Sequence, residues 1–376
     1  MTDGTPAPRG RQARLALSGL GLAALGRILA EVPAVVEWHR TVFFPKVVAF
    51  LQWASGRAPG TLGEVLAGAL IAFAIGALLV RRSRVLGSAV FALGLIVFAF
   101  YLSWGLAYGY PLLSTRLAAP RESDAKASAA LLVDLSERSA RLAAGAASGP
   151  VSFDGGDAEF FARVNAGLDA GFTRWPEALE ASPVRGIGFG PAKLSRLSFA
   201  LSRLQISGFY FPWTGEAQID AEMPRTLWPR VGAHEKAHQR GFARENEATI
   251  IGMITCLSSP DPTVFYGGTL GLFVGFDREL ARVDPDARRR IWASLPPRVA
   301  GDLRAEAAFW KRHEGVAGEL SEKVNDTYLK AQGVSSGVAS YAETTRLILQ
   351  ALETPGLDLG RLLRSEVAAS AATPIR

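Results

Sequence analysis

At 376 residues the chain has room for two domains, and its formal net charge of +6 raises the question of a nucleic-acid partner. Much of that excess sits in arginines flanking apolar N-terminal runs, while the remainder mixes both signs and carries no basic–aromatic motif, so nucleic acid is excluded. A lone cysteine, Cys256, excludes an internal disulfide and reads as a small core residue in an apolar helix.

The first third is dominated by Leu, Ala, Val, Ile, Phe and Gly. Residues 64–80 and 85–106 are each close to the length that crosses a hydrocarbon core, and Arg81-Arg82-Ser83-Arg84 separates them as a basic hairpin. An earlier run, about 15–36, is interrupted by Arg27, Glu31 and Pro33; it is predicted as a first span, with an interfacial amphipathic helix as the competing reading. No small-residue cleavage site precedes soluble sequence, which argues against a signal peptide. Between 37 and 57, Trp38, Trp53 and several Phe suit an interfacial or partly re-entrant segment.

Arg9, Arg11 and Arg14 precede the first run, and the arginine hairpin precedes the last. By the positive-inside rule both lie in the cytoplasm, so the expectation is a multi-pass protein of the cytoplasmic membrane. Its parts would be a cytoplasmic tail (1–13), a transmembrane region with about three spans (14–112) and an extracytoplasmic domain (113–376). The predicted fold class is mainly α, the last domain being mostly helical with a small β element.

Residues 120–147 are Ala-, Ser- and Arg-rich with helical spacing. Further helices are predicted at 157–171, 191–206, 233–240, 246–257, 269–284, 285–294 and 297–314. The very apolar 264–276 is too short to span and reads as a buried helix. Residues 208–220 (GFYFPWTGEAQID) differ: aromatic, turn-punctuated and partly alternating, they favour extended structure directly upstream of the most informative motif. Such a strand could pair with an extended substrate, or its aromatics could simply pack the domain.

That motif is His234-Glu235-Lys236-Ala237-His238. On a helix, residues i and i+4 share a face, so both imidazoles converge on one ion and the intervening Glu lies beside its water. Gly241 suits the helix end and turn that follow. A carboxylate in the first turn of the next helix could then complete a His-His-Glu set, and the spacing allows Glu245 or Glu247.

Glu245-x-x-Ala248 after an HExxH resembles the E-x-x-A-D/N element of gluzincin-type metallopeptidases, which implies Glu245 as third ligand; Thr249 stands where those families carry Asp or Asn. The placement of Gly241 is also similar to the metzincin pattern, but Arg244 occupies its third-ligand position and cannot bind zinc. More widely, the chain resembles an uncharacterised bacterial family of membrane proteins with three N-terminal membrane helices and an HExxH domain. The matching pieces are WGLAYGYP ending at Pro111, GFYFPWTGE from Gly208, HQRGFARENEA from His238 and NDTYLK from Asn325. The resemblance implies a peptidase class without an assigned substrate.

The expected chemistry is hydrolysis of a peptide or protein substrate with Zn2+ held by His234, His238 and Glu245 and with Glu235 as general base. A further donor for the developing oxyanion would come from Tyr328, Tyr341, Arg244 or His313, with Tyr328 favoured by its place in the NDTYLK run. Arg240 and Arg244 could orient a ligand carboxylate, although helix arginines are usually solvated. The competing readings are a non-catalytic scaffold or sensor that retains a zinc site, and a membrane scaffold with no metal. A retained Glu235 argues against the first, because a structural site needs no general base.

Overall fold

A computed structural model describes residues 8–58, 60–79, 86–118, 129–175, 190–332, 341–357 and 359–364. The architecture is mainly α with one small three-stranded sheet. The chain divides into two compact units. The first comprises Met1–Tyr110 with Gly186–Gly190 and Phe211–Glu216, and the second contains the remainder.

The first unit begins with α1 (Pro8–Leu29), then α2 (Pro33–Trp38), a π-helical turn (His39–Phe43) and α3 (Phe44–Gly56). The chain bends by 85° between α1 and the α2–α3 segment. Pro33 causes the break, since it disfavours a helical residue before it, and Val32 is accordingly extended (φ −97, ψ 106). Then come α4 (Leu62–Leu79) and α5 (Leu86–Ser103).

Helices α1 and α5 approach until their backbones touch. A Cβ on Gly94 would lie 2.0 Å from the Gly19 carbonyl oxygen, and one on Gly87 would lie 2.0 Å from that of Gln12. Gly26 meets the Tyr101 ring in the same way. The contacts advance together along both chains at seven-residue intervals, so the two helices run parallel. Small residues at the contact are how apolar helices gain packing where burial from water is unavailable.

Among the described residues, α5 is long and apolar enough to cross a membrane, and the bent α1/α2–α3 pair counts as a second candidate if it forms one span. The expectation of three full spans is corrected to one or two. Pro33 divides the first predicted span, and among the described residues the qualifying apolar part of α4 is the shorter Leu62–Phe73. The arginine hairpin lies outside the described residues.

Two buried polar devices fasten this unit. Nε2 of His39 donates to the Leu102 carbonyl at 2.7 Å, leaving Nδ1 to accept from the Tyr110 hydroxyl at 2.7 Å. The carboxylate of Glu216, 1% exposed, accepts from the backbone amides of Leu62 (3.0 Å) and Gly63 (2.5 Å) and from the Thr214 hydroxyl (2.8 Å). It thus satisfies amides that the start of α4 would leave without an intrahelical partner.

The second unit packs around α10 (Glu245–Ser258), on which Ala248, Ile250, Ile251, Ile254, Cys256 and Leu257 are completely buried. Against it lie α7 (Asp157–Thr173), α9 (Trp228–Gln239), α11 (Pro262–Val283) and α15 (Tyr341–Glu353). Helix α6 (Ala129–Ala147) covers α11, and α12 (Pro285–Ser294), α13 (Pro297–Arg312), α14 (Val316–Ala331) and α16 (Leu359–Arg364) complete the helices. The separately predicted 264–276 and 269–284 form one helix, α11, with Asp261 capping its N-terminus.

The sheet holds β1 (Lys193–Leu194), β2 (Gly208–Phe211) and β3 (Glu216–Ile219) in the order β1-β3-β2. The extended reading of 208–220 therefore holds as the β2–β3 hairpin. The helix predicted at 191–206 is corrected: β1 pairs parallel with β3, and only α8 (Ser198–Arg203) is helical. The Asn165 side chain draws the start of this segment away from helix by bonding both the amide and the carbonyl of Ala192.

Candidate metal centre

Helices α9 and α10 cross at Gly252, where a Cβ would meet the His234 amide nitrogen at 2.9 Å and the Ala233 carbonyl carbon at 3.1 Å. Glu245 and Thr249 lie seven and three residues before Gly252, on the same helical face, so the crossing aims both at His234. Glu247 is rotated away from that face. The turn between the helices is made by Gly241 at φ +90, a conformation that favours glycine.

The result is one cluster: His234, His238 and Glu245 each offer a ligand atom, all within 4.8 Å of one another. Glu245 Oε2 is 3.1 Å from His234 Nε2 and 3.7 Å from His238 Nε2. Tetrahedral ligands at about 2.1 Å from a zinc ion would be about 3.4 Å apart, a value these two distances bracket. The donor set could therefore hold a metal ion. Glu245 keeps 46% of its side chain exposed, so the cluster opens to solvent on its side.

Both rings are oriented from behind. His238 Nδ1 donates to the Phe242 carbonyl at 2.6 Å, which turns Nε2 toward Glu245. His234 Nδ1 lies 3.2 Å from the hydroxyl of Thr249. Thr249 thus reaches the imidazole with its hydroxyl. Burial opposes the His238 imidazolium, yet Glu245 and the Phe242 carbonyl outweigh it and raise its pKa to about 9. Desolvation pushes Glu245 up, but the two imidazoles override that and hold it well below the usual carboxylate range.

Glu235 is buried, and burial raises its carboxyl to about 7 against the opposing pull of His234 and His238. Strand β2 lies directly against it: a Cβ on Gly208 would come within 2.9 Å of both Cγ and Oε1 of Glu235 and 2.7 Å of the Gln218 carbonyl. Only glycine leaves space there, a constraint that the aromatic run of this segment did not announce.

Glu247 falls elsewhere: it accepts a hydrogen bond from the Leu113 amide at 2.9 Å and is buried away from the cluster. Tyr328 is half-buried on α14, which does not pack extensively on α9 or α10. His313 caps α13, its Nδ1 donating to the Phe309 carbonyl, and Arg244 opens α10. Tyr341 opens α15, and its side chain lies outside the described residues. Cys256 is fully buried, and burial pushes its thiol far above the ordinary range.

Arg240, for which the sequence offered a ligand-orienting or a solvated role, is buried, its guanidinium 3.4 Å above the Phe172 ring. Together with Lys236, which is 0% exposed, it faces Asp169 on α7, at 3.8 Å and 2.9 Å respectively. Burial lowers Lys236 to about 8 and Arg240 to about 9, and Asp169 works against both shifts. Lys236 and Arg240 are two residues from metal-facing histidines and so occupy the opposite face of α9, which they fasten to α7.

Fold and cluster together define a mainly α protein with apolar N-terminal helices and a His-His-Glu group able to hold a metal. The chain belongs to the DUF3810 family, described as a protein of unknown function, which it matches over residues 39–349. No curated protein and no solved structure matches it.

Proposed function

We propose that this protein is a membrane-anchored, zinc-dependent metallopeptidase. The observation that carries the reading is the convergence of His234, His238 and Glu245 with the buried carboxylate of Glu235 beside them. Two imidazoles and one carboxylate are a donor set that suits zinc and leaves a fourth position for water or substrate.

A zinc ion held there supplies Lewis acidity, polarising a carbonyl oxygen and making water nucleophilic near neutral pH. The chain's own residues do the rest. Glu235 takes a proton from water as its oxygen attacks the peptide carbonyl carbon, then returns that proton to the leaving amine as the C–N bond breaks. Burial favours this exchange by bringing the carboxyl near neutrality. Gly208 keeps strand β2 close without displacing Glu235. The Phe242 carbonyl and the Thr249 hydroxyl hold the two rings in the tautomer that presents Nε2.

Anchoring is supported by α5, preceded in sequence by Arg81, Arg82 and Arg84. The parallel α1 starts from Arg9, Arg11 and Arg14, so both helices begin at their basic ends. The positive-inside rule then puts those ends in the cytoplasm and the HExxH unit outside the cytoplasmic membrane. The test is cleavage of an unfolded protein such as casein by zinc-loaded, detergent-purified protein, with product ends read by mass spectrometry. New peptide termini should form with the native chain and not with Glu235→Gln; equal products from both would reject the assignment.

A further inference from the structure

Two apolar surfaces of the second unit face outward, away from its core. On α14, Val316, Leu320 and Val324 recur every four residues and are 80%, 61% and 62% exposed, while Gly318 and Leu329 on the other side are buried. Beside α8, Leu197 and Phe199 are 47% and 55% exposed. Helix α14 packs near the end of α8, since Gly318 sits against the side chain of Gln205, just after α8. An amphipathic helix that turns its apolar face to solvent calls for a partner.

Charge identifies the partner. Between Glu180 and Glu216 the sequence has no acidic residue, yet it contains Lys193, Arg196 and Arg203 among the described positions. Arg196 and Arg203 are exposed, and the Arg203 guanidinium lies 5.8 Å from the Phe199 ring. The arginines lie at the Leu197–Phe199 patch, where apolar side chains rimmed by cations fit the headgroup region of a bilayer. The aromatic ring and the aliphatic chains enter the acyl boundary there while the cations meet phosphate. Exposed Glu319 and Glu322 as well as Lys323 flank the α14 ridge, which contributes apolar contact only. A chain carrying a membrane-crossing helix is already held at such a surface, so the encounter is intramolecular and even weak contacts count.

We infer that Leu197 and Phe199 with the ridge of α14 form a docking surface for an anionic phospholipid bilayer. It rests on the membrane-anchored part of the proposed function and not on the metal. The consequence is that hydrolysis would occur next to the headgroups, on membrane proteins or surface-bound chains.

The experiment uses the full chain in nanodiscs of neutral or partly anionic phospholipid, with an environment-sensitive dye on Phe199→Cys or Leu320→Cys. Native Cys256 is buried, and Val283→Cys, at the exposed end of α11, serves as control. The expected result is a blue shift of emission at 199 and 320 in anionic discs, weaker in neutral discs and at high salt, and no shift at 283. Emission at 199 and 320 matching the control in both lipids would overturn the inference. So would a shift that requires two protein copies per disc, which would assign the surface to self-association. Failure of the chain to enter discs would instead remove the anchored reading beneath it.

Discussion

His238 donates its Nδ1 proton to the Phe242 carbonyl at 2.6 Å, and this bond sets the tautomer of the second histidine of the HExxH motif. The acceptor is a backbone atom four residues on, placed by the turn at Gly241 that also terminates α9. The ring is thereby pointed at Glu245, as a carbonyl behind an imidazole orients it in a metal site.

Thr249 gives the first histidine its own support. Thr249→Val keeps the shape and removes the hydroxyl that faces His234 Nδ1, so zinc affinity should fall about 10- to 100-fold with little change in melting temperature. Thr249→Asn should restore most of it. Competition with a chromophoric chelator reads the affinity; an unchanged value in the valine variant would remove Thr249 from the site.

Metal binding should release a proton. Ion-free His238 titrates at about 9, above its ordinary 6.5, because Glu245 and the Phe242 carbonyl outweigh the lowering effect of burial. The protonated ring stabilises the ion-free fold in full below about pH 6.5, and that contribution disappears as pH rises through about 9. Zinc requires the neutral ring, so apparent affinity should climb about tenfold per pH unit within this window. Titration calorimetry in buffers of different ionisation enthalpy should find close to one proton released at pH 7.5. A pH-independent affinity would contradict the His238–Glu245 pairing.

Gly208→Ala separates binding from catalysis. The added methyl would press on Glu235 and on the Gln218 carbonyl but touches none of the three ligands. Zinc content should stay at the native level while casein cleavage is largely lost. Full activity in this variant would mean that Glu235 has freedom the close packing denies it.

Gly94→Leu addresses the paired N-terminal helices. With a Cβ only 2.0 Å from the Gly19 carbonyl, any larger residue must force α1 and α5 apart. Thermal unfolding in detergent should move down by several degrees, whereas Gly68→Leu, on α4 with open space around it, should be neutral.

The histidine pair, the glycine turn and the aromatic hairpin were legible because each depends on residues close in sequence. The choice between Glu245 and Glu247 depended on a contact between helices. Its signal was present as Gly252, which lets α10 approach His234 and puts Glu245, but not Glu247, on the facing side. Helices α14 to α16 went unread after 314, and the burial of Lys236 and Arg240 could not be read from α9 alone, because their partner Asp169 comes from α7. The span count failed at Pro33, where an apolar stretch of adequate length is bent instead of straight.

The most direct test of the metal centre is zinc content per chain in the detergent-purified protein beside His238→Ala, Glu245→Ala and Glu247→Ala. About one zinc is expected in the native chain and in Glu247→Ala, and little or none in the other two. Glu247→Ala should be destabilised by about 1–3 kcal/mol, because the Leu113 amide loses its acceptor. A well-folded native chain without zinc, or zinc lost in Glu247→Ala and kept in Glu245→Ala, would contradict the site drawn here.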